Sequence, residues 1–106
     1  MKNKIQYSQL AFKDLDEIRN YITNELSNPL SAESIVNGII DTIDGLGRFP
    51  EKGTKLIFDN GLDSGYRFII YKSYMAFYHI QDELVYIDRI MYGKRDYINN
   101  LFPDME

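Results

Sequence analysis

The hydrophobic period of the chain changes once, and that change limits the folds open to it. Up to about residue 47 the apolar residues recur at helical spacing: Ala11, Leu15, Ile18 and Ile22, then Ile35, Ile39, Ile43 and Leu46. From Tyr66 onward the chain turns to β-branched and aromatic residues in short runs, Tyr66–Tyr71, Tyr74–Ile80 and Leu84–Met91. The first spacing predicts amphipathic helices and the second predicts strands. A chain that spends its first half on helices and its second on consecutive strands segregates the two, which is the pattern of an α+β domain.

Local signals place the boundaries. Residues 3–7 alternate polar and apolar, so they read as a strand with Ile5 and Tyr7 inward. Ser8 stands where an N-cap is needed for a helix over 9–26. Ser27-Asn28-Pro29 ends it, because Pro29 lacks an amide and disfavours helical geometry at Asn28. Ser31 is placed to cap a second helix over 32–47, closed by Gly47 and Pro50. Gly38 and Gly45 within it each cost about 1 kcal/mol relative to Ala unless they allow close packing. The short connection makes the two helices an antiparallel hairpin. Residues 51–65 read as a loop with an extended piece at Lys55–Phe58, and Lys72-Ser73 and Gln81-Asp82-Glu83 as hairpin turns in a three-stranded meander. Arg95–Phe102 reads as one or two helical turns. The expected order is β-α-α-β-β-β in one domain over 1–106, with the hairpin packed on one face of a small, mainly antiparallel sheet. Ile18, Ile22, Ile39, Ile43, Phe68, Ile70, Phe77, Val85 and Ile87 are the expected core.

Composition excludes several classes. With 106 residues and 44% hydrophobic, the chain can bury a core and is not a disordered tract. It has no Cys and a single His, so thiolate chemistry, disulfides and His-rich metal sites are closed to it. No apolar run approaches the ~20 residues of a membrane span, and no apolar stretch follows Lys2 and Lys4 as a signal peptide requires. The expectation is a cytoplasmic protein without membrane contact. The formal charge is −4. Residues 8–50 carry three basic against seven acidic side chains, and residues 66–97 five against four. A dedicated nucleic-acid binder would carry a basic excess. The acidic half, Asp14, Asp16 and Glu17 included, reads most simply as a solvated helix surface.

Nucleotide-binding glycine motifs, the nucleophile elbow and the zinc-protease motif are all absent. His79 reads as a half-exposed strand residue. One constellation carries possible chemistry. Arg67 lies on the first meander strand, Arg89 on the last, and Lys94, Arg95 and Tyr97 follow. Cations from neighbouring strands could converge on a phosphate and stabilise a pentacovalent anion, as metal-free RNA cleavage requires. The plainer reading is structural: Arg95 beside Asp96 as a local pair, and Arg89 as partner of Asp88 or of the acidic helix.

Ala11-x-x-Asp14-Leu15-x-x-Ile18-x-x-Tyr21-Ile22 resembles the first helix of the RelE/ParE superfamily, the toxins of type II toxin–antitoxin modules. Phe49-Pro50-Glu51-x-Gly53 is similar to the loop after its second helix. Tyr66-Arg67, Phe77-Tyr78-x-Ile80 and Arg89-Ile90-x-Tyr92-Gly93-x-Arg95-Asp96 resemble its strands and C-terminal signature. The similarity runs from Ile5 to about Leu101. It implies a growth-inhibiting bacterial toxin, active without metal or cofactor, neutralised by a cognate antitoxin and linked to plasmid stabilisation.

Two activities occur in that superfamily. RelE-like members cleave mRNA on the ribosome with basic sheet residues and a C-terminal tyrosine. Arg67 and Arg95 match two of those positions. Ile69 and Met75 stand where the others are basic, Tyr97 is too early for the tyrosine, and Leu101 is nearest its place. The histidine–tyrosine pair of YoeB-like members is represented by Tyr92 alone. ParE-like members inhibit DNA gyrase and lack the nuclease set; the long hairpin, acidic first helix and apolar Met75 resemble these more. The resemblance therefore leans to gyrase inhibition, with a metal-independent, ribosome-dependent endoribonuclease as the alternative and an inactive relative as a third possibility. Candidate catalytic residues are Arg67, Arg95, Tyr92 and Tyr97. Candidate residues for binding target or antitoxin are Arg67, Arg89, Lys94 and Arg95. The implied partners are the antitoxin and either gyrase or the ribosome with its mRNA.

Overall fold

The computed structural model describes residues 3–93. Strand β1 (Lys4–Tyr7) leads into α1 (Gln9–Asn20), which widens into one π-helical turn at Tyr21–Glu25. Then come α2 (Pro29–Asp44) with a tighter turn at Gly45–Gly47, a short turn at Pro50–Lys52, and strands β2 (Thr54–Ile57), β3 (Asp63–Tyr71), β4 (Tyr74–Gln81) and β5 (Leu84–Tyr92). The strands form one sheet in the order β1-β5-β4-β3-β2. β1 joins β5 in parallel, and all other pairs are antiparallel. Both helices cover one face. The fold is the expected α+β arrangement, and β2 is the extended piece anticipated within 51–65. The helical turns expected at Arg95–Phe102 lie outside the described residues. No helix among those described is long and apolar enough to cross a membrane.

The first helix starts as its sequence predicts, with Ser8 Oγ accepting from the Ala11 amide at 2.9 Å. Its end is closed by Ser27 in the left-handed region (φ 50°), and the Asn28 amide reaches back to the Ile22 carbonyl. That left-handed stop resembles a Schellman motif but spans one residue more, because the last turn is π-helical. The second helix begins three residues earlier than expected. Asn28, not Ser31, is its cap: Asn28 Oδ1 accepts from the Ser31 amide at 3.2 Å. Pro29 sits at the first helical position, where a missing amide costs nothing and φ is already helical. The proline that ends one helix therefore starts the next.

The main core joins Ala11 and Leu15 of α1 and Val36, Ile39 and Ile43 of α2 to Ile69, Ala76, Tyr78, Val85, Ile87 and Ile90 of the sheet. On the opposite face a smaller cluster forms from Leu56, Phe77 and Met91, with Tyr66, Phe68 and Met75 packed against it. Of the expected core, Ile22, Ile39, Ile43, Phe77, Val85 and Ile87 are buried, and Ile18 and Phe68 partly so. Ile70 is not; it is 58% exposed and Ile69 is buried in its place. Phe68-Ile69-Ile70 is apolar throughout, so its period cannot choose a face. The pairing of Ile69 with Ala76 on the helix side makes the choice. Ile87 and Ile90 both face the helices although three residues apart. A bulge makes this possible: Phe77 pairs with Arg89 and Tyr78 with Ile87, leaving Asp88 as the extra residue on β5.

Candidate functional site

Arg67 and Arg89 are the two sequence-identified cations within the described residues, and the structure does not bring them together. β4 lies between their strands. Arg67 Nη1 donates to the carbonyls of Glu51 (3.1 Å) and Gly53 (2.9 Å). Beside it the fully buried Tyr78 donates its hydroxyl to the Pro50 carbonyl (2.7 Å) and accepts from the Gly53 amide (2.9 Å). Burial pushes the Tyr78 phenol up; the Gly53 bond and the Arg67 charge only partly offset this. A Cβ at Gly53 would lie 2.4 Å from the Tyr78 oxygen, so this close approach requires glycine. Arg67 and Tyr78 together pin the Pro50–Gly53 loop.

Arg89 is held from the other side. Its Nε and Nη2 donate to the two Asp14 oxygens at 2.8 and 2.9 Å, a bidentate pair, and the Ile90 amide donates to Asp14 at 2.9 Å. Asp14 is 7% exposed, which corrects its reading as a solvated surface residue. The Asp14 hydrogen bond holds the Arg89 guanidinium above its ordinary range, against the opposing effect of burial, with the charges of Asp14 and Glu17 adding to it. The reading of Arg89 as partner of the acidic helix is the one the geometry meets. β1 stops pairing at Tyr7 opposite Ile87, so beyond the bulge the Asp14 carboxylate takes an amide that a strand would otherwise take.

The positions that the resemblance ties to RNA cleavage have other surroundings. Ile69 is buried among the helix-facing residues and Met75 packs on the cluster of Leu56, Phe77 and Met91. Tyr92 is half exposed with its ring edge-on to Tyr74 at 5.3 Å. Lys94, Arg95 and Tyr97 lie outside the described residues. No metal-binding group of acidic, His or Cys side chains occurs among the described residues.

Two features went unread in the sequence. The first is a carboxylate–imidazole pair, His79 Nδ1 to Asp88 Oδ2 at 2.7 Å, with the rings of Tyr66 and Tyr86 about the imidazole. Burial pushes the Asp88 carboxyl up, and the bond to His79 offsets part of that. An imidazole oriented by a carboxylate can move a proton. The pair is built by the bulge, which no periodicity reports. The second is a groove of about 540 Å³ between α1, the wide turn and the ends of β4 and β5. Tyr21, Leu26 and Tyr92 stand at its walls, each more than half exposed. Tyr74 lies deeper, its phenol raised by burial and then by the neighbouring Tyr92 and Tyr21.

The fold is similar to that of a chain in the chromosomal ParDE toxin–antitoxin system from P. aeruginosa, with TM-score 0.74 and 19% identity over 88% of this chain and 98% of that one. It is also similar to one in the RelBE2 toxin–antitoxin complex from Mycobacterium tuberculosis, with TM-score 0.64 and 19% identity over 87% and 99%. A third is in the E. coli DinJ–YafQ toxin–antitoxin complex, with TM-score 0.57 and 15% identity over 96% and 99%. At such identities the likeness is one of fold. No curated protein sequence matches the chain. The family model for the ParE toxin of the type II toxin–antitoxin system parDE matches residues 5–97, nearly the whole chain. The chain therefore belongs to the ParE toxin family of type II toxin–antitoxin systems.

Proposed function

We propose that this toxin inhibits growth by binding DNA gyrase in the cytoplasm, and that a cognate antitoxin protein neutralises it by direct association. The observation that carries the reading is the state of the two arginines. Transition-state stabilisation in RNA cleavage needs cations aimed at the phosphate. Arg67 is committed to loop carbonyls and Arg89 to Asp14. The chain's acidity, with pI ≈ 4.9, also opposes residence among ribosomal phosphates.

One observation favours mRNA cleavage as the second reading. His79, oriented by Asp88, supplies the base that the arginine and tyrosine candidates lack. On that reading Arg67, Arg95, Tyr92 and Tyr97 would supply charge and a proton donor, and Arg95→Ala would lose roughly 2–4 kcal/mol of transition-state stabilisation. Purified toxin assayed in parallel for gyrase supercoiling and for cleavage of ribosome-bound mRNA separates the two. We expect supercoiling to fall and mRNA to stay intact. Rapid mRNA cleavage that His79→Ala abolishes would overturn the gyrase reading.

A further inference from the structure

The loop after α2 differs in charge from the chain around it. Residues 45–57 carry three basic side chains, Arg48, Lys52 and Lys55, against one acidic, Glu51, although the formal charge of the whole chain is −4. Lys55 pairs with Asp63, whereas Arg48 and Lys52 are exposed and have no ion pair among the described residues. Arg67 adds its charge against the loop backbone. The other described lysines without an ion pair, Lys4, Lys13 and Lys72, lie singly on β1, on α1 and in the β3–β4 turn. Between Arg48 and Lys52 stands Phe49, 65% exposed and part of neither core cluster. These side chains, with Pro50 and Glu51, border an open hollow of about 660 Å³.

The backbone of this loop is held from within. The carbonyl of Phe49 accepts from the Lys52 amide at 3.0 Å, that of Pro50 from the Tyr78 hydroxyl, and those of Glu51 and Gly53 from Arg67. The Phe49 amide donates to the Gly45 carbonyl at 3.2 Å, and Leu46 just before it is fully buried. With its polar backbone groups satisfied inside the fold, the loop turns the side chains of Arg48, Phe49, Glu51 and Lys52 outward. Phe and Arg are both enriched in protein interfaces. An aromatic side chain on a backbone fixed before binding suits an interface anchor, because little ordering remains when a partner closes on it.

Resting on the reading that this toxin binds DNA gyrase, we propose that the Arg48–Lys52 loop is the surface that docks on gyrase. Phe49 packs against an apolar recess of the gyrase protein, and Asp or Glu carboxylates on the rim of that recess face Arg48 and Lys52. The chemistry follows from the loop. Two free cations on either side of an apolar ring select carboxylates around an apolar centre. A phosphate backbone is a poorer match, because Glu51 lies between the cations and the net charge of −4 repels a polyanion. The same net charge holds an acidic protein surface off the rest of the toxin, so this loop sets the orientation of approach. A loop whose shape exists before binding is matched by the preformed surface of a folded protein.

The test uses full-length toxin, purified gyrase and the antitoxin encoded beside the toxin. Binding to gyrase is measured by titration calorimetry at two salt concentrations, alongside inhibition of supercoiling. Phe49→Ala and the double reversal Arg48→Glu with Lys52→Glu should each weaken gyrase binding about tenfold or more. The toxin concentration that halves supercoiling should rise by a similar factor. Affinity of the double reversal should no longer fall as salt is raised. Lys72→Glu, a charge reversal in the exposed β3–β4 turn, should leave gyrase affinity within about twofold. Antitoxin affinity should change little in all three variants. Circular dichroism and thermal melting confirm that each variant is folded. Unchanged gyrase affinity in either loop variant would overturn the docking loop while leaving the gyrase reading intact. Failure of unmodified toxin to bind or inhibit gyrase would overturn that reading and this one with it. Loop variants that lose the antitoxin but keep gyrase would assign the loop to the antitoxin and overturn the proposal. Toxin that dimerises alone through a contact broken by Phe49→Ala would assign the loop to a second copy and overturn it as well.

Discussion

The carboxylate of Asp14 accepts three hydrogen bonds, two from Arg89 and one from the Ile90 amide, and ties α1 to the end of the sheet. Removing it would leave Arg89 without a counter-charge at a side chain only 22% exposed. Breaking one partner of such a pair is strongly destabilising, so Asp14→Ala should cost about 3 kcal/mol in urea denaturation with an unchanged m-value. The sequence does carry a signal for this role. Asp14 stands three residues after Ala11 and four before Ile18, on the apolar stripe itself, whereas Asp16 and Glu17 fall off it. Tyr7 is the second residue with a measurable consequence. Its hydroxyl is buried without a hydrogen-bond partner among the described residues, and burial, then the Asp44 charge, pushes its pKa to about 12. A phenol whose pKa rises on folding contributes stability that is present below about pH 10, the unfolded value. That contribution is lost as the pH climbs towards 12. Stability measured from pH 9 upward should therefore fall less steeply in Tyr7→Phe than in the unmodified chain. At neutral pH the substitution should be neutral or slightly stabilising, because it removes a polar atom that burial leaves unpaired.

At the level of elements, Gly38 within α2 and Gly45 at its C-terminal cap differ. A Cβ at Gly38 would lie 2.1 Å from Tyr71 Cζ, so the bare backbone is what lets β3 pack this ring against α2. At Gly45 nothing lies within 4 Å, and the backbone is helical with φ −59°. Gly45→Ala should thus stabilise the fold by about 0.5–1 kcal/mol through its unfolded state. Gly38→Ala gains the same helix propensity but must displace the ring, a cost of about 1–3 kcal/mol, and should come out destabilising. Thermal melts of the two variants should move in opposite directions. The sequence flags both glycines equally, because propensity is local and the neighbour that separates them is more than thirty positions away. Asn28 rather than Ser31 caps α2 for a related reason. Both Asn28 and Ser31 can cap, and only the backbone geometry around Pro29 decides which does.

On the scale of the whole molecule, several charged residues pair with one another within the fold. Arg19 pairs with Asp16 and Glu33, Lys55 with Asp63, and Arg89 with Asp14. A chain of net charge −4 suits contact with a protein better than with a polyanion. Cells making the toxin alone should accordingly filament and show a DNA-damage response while bulk mRNA stays intact. Early loss of mRNA without filamentation would point to the ribosome. Asp14→Ala should reduce toxicity only as far as it reduces the folded fraction, since that residue faces Arg89 rather than a target.

The succession of elements was legible from the sequence alone, because helical and strand periods are set by backbone geometry and each segment carries enough apolar residues to display one. The helix hairpin, the meander and most of the core follow from that; the resemblance to the family rests instead on particular residues, Phe49-Pro50-Glu51-x-Gly53 among them. The tertiary structure decided what depends on register and on distant partners. A single extra residue, Asp88, changes the phase of β5, joins Asp88 to His79 and sends Arg89 to Asp14. An apolar triplet cannot say whether Ile69 or Ile70 is buried until Ala76 lies opposite one of them. A cation read as a candidate for chemistry becomes a strut once its partner, 75 positions away, is in place. Period belongs to neighbours along the chain, whereas the state of a charge belongs to whatever folding brings beside it.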